Sequence, residues 1–455
     1  MAGRGLVADL EAALGPQAVL TDPAAQRRHL FSREMVLYSP LLKAAFRDRA
    51  VEAVVLPRTP EALENALRVA VRHRVPVTLR GAGLTTYGQS LPLAGGILID
   101  VRGLDTIGEV EGDTLSAGPG AVFDRLEARA RQAGRELRVL PSNHPVATLG
   151  GFVAGGSAGI GSALHGFLWD GNVVEAEVLT AEDPPRRLRW SGEAVLPLLH
   201  TYGSVAVMTR ITLALAPART WQEAYAAFPD YGSAVRFAWE MVPAAGVPVR
   251  TLAAEQAPIP DFFTPLRGLF APGESVVLLM AEAADLPRLE VLARTAGGRF
   301  GRWPPQPPLS QFSFNHSVLW ARKADPHASW LQLAFDPGRL PEQVEALTAR
   351  WAGRLYLHLD FIRRPDGSVL PYGRAVVPEG DLRGVEPVLE DCRRQGLTVI
   401  NPHSYVAEEI GLAALFLDLG TVRRLKAVTD PFGLLNPGKL GGRFYRSPPV
   451  PGGTR

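Results

Sequence analysis

Two kinds of segment carry residues whose types and spacing could do chemistry. The first is Arg80–Ser90, RGAGLTTYGQS, directly after an apolar run. Gly81 and Gly83 permit tight curvature and clear side chains from one face, so successive N–H groups can converge on phosphate oxygens. Thr85, Thr86, Gln89 and Ser90 add neutral donors. An ordinary glycine turn is the competing reading. The loop is not a dinucleotide fingerprint, because no helix opens on a third glycine, and it lacks the Gly-Lys-Ser/Thr of a Walker loop. The second kind is an imidazole set among polar and aromatic residues. Val399–Gly411, VINPHSYVAEEIG, places Asn401, His403 and Tyr405 after a strand, where an Asn-Pro-His turn can present His403 to a pocket. Ser313–Pro326 places Asn315, His316 and Lys323 near two aromatic residues. Imidazole titrates near neutrality, which suits a base that removes a hydroxyl proton, so His403 is the first candidate, with Tyr405 and His316 as alternatives. The competing reading has Asn401 capping the turn and His403 solvated. His358 in LYLHLDF alternates with apolar residues and reads as a core or sheet-face histidine. Glu408 and Glu409 are helix neighbours pointing about 100° apart, so they do not form an acid/base pair.

These segments need a scaffold. Val51–Pro57 reads as a strand, and Thr59 followed by Pro60 opens a helix with Leu63, Leu67, Ala70 and Val71 on one face. Val75–Arg80 is the next strand, which completes a β–α–β unit. Ile97–Val101 and Thr114–Gly120 read as strands with a turn at Glu111–Asp113. Ala121–Ala133 reads as a helix closed by Gly134, and Leu137–Ser142 as a strand. Residues 148–166, TLGGFVAGGSAGIGSALHG, hold seven glycines and allow backbone to approach something bulky. Asn172–Glu182 and Val205–Pro217 are further strands. Residues 220–429 mix strands and helices less regularly and carry more Trp and Pro, which places a second domain there.

Bulk properties narrow the function classes. A chain of 455 residues suits two or three domains. The formal net charge of +2 gives no strong field for nucleic acid or an anionic membrane. No apolar run approaches the ~18 residues of a membrane span. The single cysteine, Cys392, excludes an intramolecular disulfide and a Cys-based metal site, fits a reducing cytoplasm, and sits in an amphipathic helical context that suggests a buried apolar role.

In order, the β–α–β unit, the loop Arg80–Ser90, PSNHPVATLGGFVAGGSAGIGS (Pro141–Ser162) and GNVVEAEVLTAED (Gly171–Asp183) resemble the FAD-binding domain of the vanillyl-alcohol oxidase and p-cresol methylhydroxylase (PCMH) family. The resemblance covers about residues 50–217. DPFGLLNPGKL (Asp430–Leu440) is similar to the closing motif of the branch with glycolate oxidase flavin subunits and D-lactate dehydrogenases. The fold implied is α+β / α/β: a two-part PCMH-type FAD-binding domain over 1–219, an α+β substrate (cap) domain with a mainly antiparallel sheet over 220–429, a segment 430–445 returning to the first domain, and a disordered tail 446–455.

The resemblance also assigns roles. Arg80, Gly81, Ala82, Gly83, Leu84, Thr85, Thr86, Gln89 and Ser90 would hold the pyrophosphate region. Pro141, Ser142, Thr148, Leu149, Gly150 and Gly151 would line the isoalloxazine and ribityl chain, continued by Gly155, Gly156, Gly159 and Ser162. Val173 and Val174 would meet the adenine side through backbone. Asn436 and Lys439 would return against the flavin, with a structural salt bridge as the alternative for Lys439. Many relatives have a flavin-tethering His where Leu84 stands, and Cys392 reads as buried, so FAD is expected to be non-covalent, with a tether through His403 as the alternative. The metal-binding HxGDGNxH string of the lactate branch does not occur, and no metal is expected. The expected activity is FAD-dependent oxidation of a small hydroxy acid or alcohol, with hydride passing to flavin N5. The acceptor is oxygen, a quinone or a carrier protein, and a homodimer is an allowed assembly. A flavin subunit of a larger dehydrogenase and a flavin-bound module without turnover are the alternatives.

Overall fold

The computed structural model describes residues 2–31, 39–84 and 86–441. Thr85 and the expected tail 446–455 lie outside the described residues, as do residues 442–445 of the C-terminal segment.

The apolar runs near the N-terminus build a four-stranded sheet in the order Val19–Leu20, Ala53–Val55, Ile97–Asp100, Val77–Arg80. The Thr59 hydroxyl accepts from Ala62 N at 3.2 Å, and Pro60 occupies the first turn of helix Pro60–Arg72, as its sequence dictates. Leu63, Ala66, Leu67 and Ala70 of that helix are fully buried. The strands on either side of the helix are not neighbours, however. Ile97–Asp100 inserts between them and pairs in parallel with both. A helical crossover is long enough to skip one strand position, and the local sequence does not show that it does.

A second, six-stranded sheet is built around the long strand Val207–Pro217. The partner of Thr114–Ala117 across the Glu111–Asp113 turn is Ile107–Glu111, which the sequence reading passed over. Leu137–Ser142 is not one strand either. Pairing covers Arg135–Leu137 only, after which Leu140 makes a single bridge to Ile160. Pro141 has no N–H with which to continue a ladder. The glycine-rich stretch folds as two short helices, Leu149–Gly155 and Ser162–His165, joined by extended backbone.

The third sheet has eight strands in the order 299–302, 221–228, 275–282, 249–255, 356–363, 369–377, 329–334, 398–400. Every pairing in it is antiparallel. One apolar core runs from the second sheet into the third: Leu149, Val153 and Phe167 share it with Phe314, Tyr372 and Ile400. Phe167 meets Tyr372 edge-on with ring centres 5.4 Å apart. The third sheet is therefore seated on the glycine-rich layer. No described helix is long and apolar enough to cross a membrane.

Candidate active site

A cavity of about 410 Å³ opens where the first two sheets meet the third. Its floor is the loop after strand Val77–Arg80 together with the N-terminal end of helix Leu149–Gly155. Its roof is helix Asn315–Ala324 and strands Ser329–Ala334 and Val369–Val377. The lining contains Arg80 and Arg374 and no Asp or Glu, so the cavity is receptive to anions.

The floor is held in shape from beneath. Arg80 donates to the carbonyls of Gly81 (3.3 Å) and Ala82 (3.2 Å) and pairs with Asp100 at 3.2 Å, so its guanidinium folds under the loop it begins. Gly81 packs so closely on Thr148 that a Cβ there would lie 2.0 Å from the Thr148 hydroxyl. At Gly88, with φ +70, a Cβ would lie 2.1 Å from the Phe46 ring. Asn436 donates to the carbonyls of Gln89 and Tyr202, both at 2.8 Å, and Lys439 Nζ donates to Gly88 O at 2.6 Å. The C-terminal motif thus backs the loop. Burial holds the Lys439 pKa well below its ordinary range, and its Nζ lies over the rings of Phe46 (4.8 Å) and Tyr405 (5.3 Å). Among the described residues Lys439 makes no salt bridge and does not line the cavity.

The roof presents polar groups. Phe314, at φ 54 and ψ −132, holds a backbone conformation that L-residues rarely adopt and that costs roughly 1–3 kcal/mol. It begins helix Asn315–Ala324 at the cavity wall, so Asn315 and His316 both line the space. Asn315 accepts from Arg374 Nε at 2.8 Å, and Tyr87 OH donates to Gln332 at 2.8 Å, which ties the loop to the roof. His316 Nδ1 has no hydrogen-bond partner among the described residues. Burial, with help from Lys323 and against the backbone of Ser313 and Ser310, pulls the His316 pKa down to about 4, so the ring is neutral at pH 7. Thr148 Oγ1 and Tyr202 OH are likewise buried, unpartnered and part of the lining.

The expected cofactor residues sort cleanly by position. Arg80 to Leu84, Thr86, Gln89, Ser90, Pro141, Ser142, Thr148, Gly150, Gly151, Gly155 and Gly156 line this one cavity. Leu149, Gly159, Ser162, Val173, Val174 and Asn436 do not. Gly159 packs against Leu140, where a Cβ would lie 2.1 Å from its carbonyl, and Ser162 Oγ accepts from Gly159 N at 3.0 Å. Val173 begins a strand in the second sheet.

Of the four catalytic candidates only His316 lines the cavity. Asn401, His403 and Tyr405 lie off it. Asn401 Oδ1 accepts from His403 N at 2.9 Å, as the capping half of the competing reading has it, but the His403 ring nitrogens are buried rather than solvated, and that burial pulls its pKa down to about 4. Tyr405 packs on Phe46 with ring centres 5.6 Å apart. Strand Thr398–Ile400 is at the sheet edge, beyond Ser329–Ala334, so a turn following it is carried past the cavity. His358 is fully buried between carboxylates, and Cys392 is fully buried, its thiol pushed up to about 12 by that burial. Glu408 pairs with Arg423 and Glu409 accepts from Ser404, so the two carboxylates diverge. Among the described residues no group of His, Cys, Asp and Glu is placed to hold a metal ion.

Sequence reading missed Arg374, Gln332, Tyr87 and His200, all of which line the cavity. Arg374 left one signal, a lone charge inside the apolar run of VLPYGRAVV. His200 left none, since its φ of +52 and full burial follow from the packing of its loop.

The cavity fits a flavin dinucleotide. A glycine-lined wall leaves room for a flat ring, and the absence of carboxylates from the lining suits a pyrophosphate. Comparison with known proteins agrees. Residues 51–184 match the family model described as an FAD binding domain. The chain is 25% identical to glycolate oxidase subunit GlcD of Escherichia coli (strain K12), over 87% of this chain and 84% of that one. It is 27% identical to the GlcD subunit of Bacillus subtilis (strain 168), a match that spans 29% of this chain and 28% of that protein. Among solved structures, an alkyldihydroxyacetonephosphate synthase superposes with a TM-score of 0.73 at 16% identity, covering 96% of this chain and 85% of its own. The chain shares the fold of that structure, mixed helix and sheet, with the mainly antiparallel third sheet that the sequence led us to expect.

Proposed function

We propose that this chain, a member of the FAD-dependent oxidoreductases through its FAD binding domain, oxidises a small 2-hydroxy acid. The observation that carries the reading is one cavity shared by the glycine wall, the neutral imidazole of His316 and a buried guanidinium. FAD bound along Gly81–Ser90 and Pro141–Gly156 would supply a hydride acceptor. Leu84 offers no nucleophile to tether it. Arg374, held by Asn315, would bind the substrate carboxylate through charge-assisted hydrogen bonds. His316 Nδ1, neutral at physiological pH, would take the proton of the substrate hydroxyl. Apolar Phe314, Leu319 and Pro308 close this side and exclude water. An amine cation would meet Arg374 and no compensating carboxylate, so amines are disfavoured. The test is anaerobic exposure of the flavin-loaded protein to hydroxy acids, alcohols, sugars and amines. Bleaching by a hydroxy acid supports the reading, and bleaching by amines alone overturns it.

The names of the two relatives, both subunits of glycolate oxidase, favour a second arrangement in which this chain works within a larger dehydrogenase. Co-purification with a redox partner from its own host would support that arrangement.

A further inference from the structure

The role given to Arg374 raises the question of what fixes its charge in place. We propose that His358 is a positioning residue for Arg374: together with Glu255 and Asp360 it forms a buried, charge-balanced support that sets the affinity of the cavity for carboxylates. The inference rests on Arg374 being the carboxylate anchor.

Strand register puts the parts in a row. Glu255 is opposite His358, His358 opposite Arg374, and Arg374 opposite Gln332, across four adjacent strands. Facing positions share one side of a sheet. The row therefore runs from the protein interior to the cavity, with Arg374 and Gln332 in the lining and the other two behind them. His358 Nδ1 lies 2.7 Å from Glu255 and Nε2 lies 2.9 Å from Asp360, and Asp360 in turn pairs with Arg374. Helix Asn315–Ala324 covers the row. Ser317 donates to Glu255 at 2.7 Å, and Asn315 accepts from Arg374 at 2.8 Å. The hydroxyls of Tyr231 and Tyr372 are the other titratable groups facing the carboxylates. His358 and Glu255 are 0% exposed and Asp360 is 1%, so no solvent shares the charge. With the carboxylates on opposite ring nitrogens, the cluster cannot close around a metal ion.

The count decides the consequence. Two carboxylates face Arg374 and His358. With His358 protonated the four charges cancel. With it neutral, one negative charge remains beside Arg374, draws the guanidinium inward and repels an incoming carboxylate. Burial alone would favour the neutral ring, but Asp360 and Glu255 outweigh it and raise the pKa to about 9. The support is thus intact at pH 7 and lost as the pH rises through 9.

The experiment uses the flavin-loaded protein, with oxalate as the charged probe and oxamide as its neutral counterpart. Binding is read from the shift each causes in the flavin spectrum. His358→Gln should weaken oxalate about tenfold or more, the scale of one charge-assisted hydrogen bond, and leave oxamide unchanged. In the unsubstituted protein oxalate should weaken between pH 7 and pH 10 while oxamide does not. Equal loss of both probes in His358→Gln would mean general damage and overturn the inference. A flat oxalate affinity up to pH 10 would also overturn it, and needs no variant. Arg374→Met separates the two levels. If it leaves oxalate binding intact, the anchor reading fails. If it abolishes oxalate binding and His358→Gln does not weaken it, only the support fails.

Discussion

Gly81 allows the cradle to be tested at a single atom. A Cβ added there would lie 2.0 Å from Thr148 Oγ1, 3.3 Å from Thr148 Cβ and 3.7 Å from Thr148 Cγ2. The first of these is far inside contact distance, and Thr148 opens the helix whose end forms the adjoining wall of the floor. In Gly81→Ala the loop or that wall must give way. Overpacking of this kind costs typically about 1–3 kcal/mol. If the displacement falls on the FAD-receiving face, each ~1.4 kcal/mol weakens FAD about tenfold, so a loss of roughly 5- to 150-fold is expected. The assay is titration of the flavin-free protein with FAD, followed by quenching of flavin fluorescence. Because the nearest atom is the hydroxyl, adding Thr148→Ala to the variant should recover part of the loss, and a double-mutant cycle measures how much. Unchanged FAD affinity in Gly81→Ala, with the protein still folded, would refute the assignment of this loop to the cofactor. A loss that Thr148→Ala does not relieve would refute the geometry.

Other outcomes follow from the same cavity. His316→Ala should slow anaerobic flavin reduction by about 10²–10⁴-fold, the usual contribution of a positioned base. Since the active form is the neutral ring and its pKa is about 4, reduction by the unsubstituted protein should be flat through neutrality and fall as the pH drops toward 4. A rate limb near pH 6–7 that disappears in His316→Ala would show the low value to be wrong. His403→Ala should leave the reduction rate unchanged, because that ring is off the cavity; a large loss would restore it as the base. Acid precipitation should release all the flavin to the supernatant, as Leu84 cannot bond it, and flavin retained in the pellet would contradict this.

Legibility from sequence followed the range of the interactions. The Thr59–Pro60 helix start and the loop glycines are local statements, settled within a few residues, and both stand where the sequence puts them. The insertion of Ile97–Asp100 between two strands already read as a unit is a matter of long-range pairing, which propensity does not encode. The site divides in the same way. The floor comes from contiguous motifs, and most of it was legible. The roof comes from Asn315, Gln332 and Arg374, carried on a helix and two strands. Strand register alone sets Gln332 opposite Arg374. His403 misled for that reason: Asn-Pro-His is a sound turn, but the strand it follows is at the sheet edge. For Lys439 the motif suggested a place against the cofactor, and the fold shows its amine holding the carbonyl of Gly88 under the loop.

The central claim is that one cavity joins a flavin wall to an anchored carboxylate. It is tested most directly by stopped-flow anaerobic reduction of the bound flavin, over a range of concentrations of whichever hydroxy acid bleaches it, in the unsubstituted protein and in Arg374→Met. The variant should need roughly 10- to 150-fold more substrate to reach half its limiting rate, the loss of one charged hydrogen-bonding pair. Its flavin spectrum and FAD affinity should stay unchanged. Equal half-saturation in the two proteins, with the flavin bound in both, would contradict it.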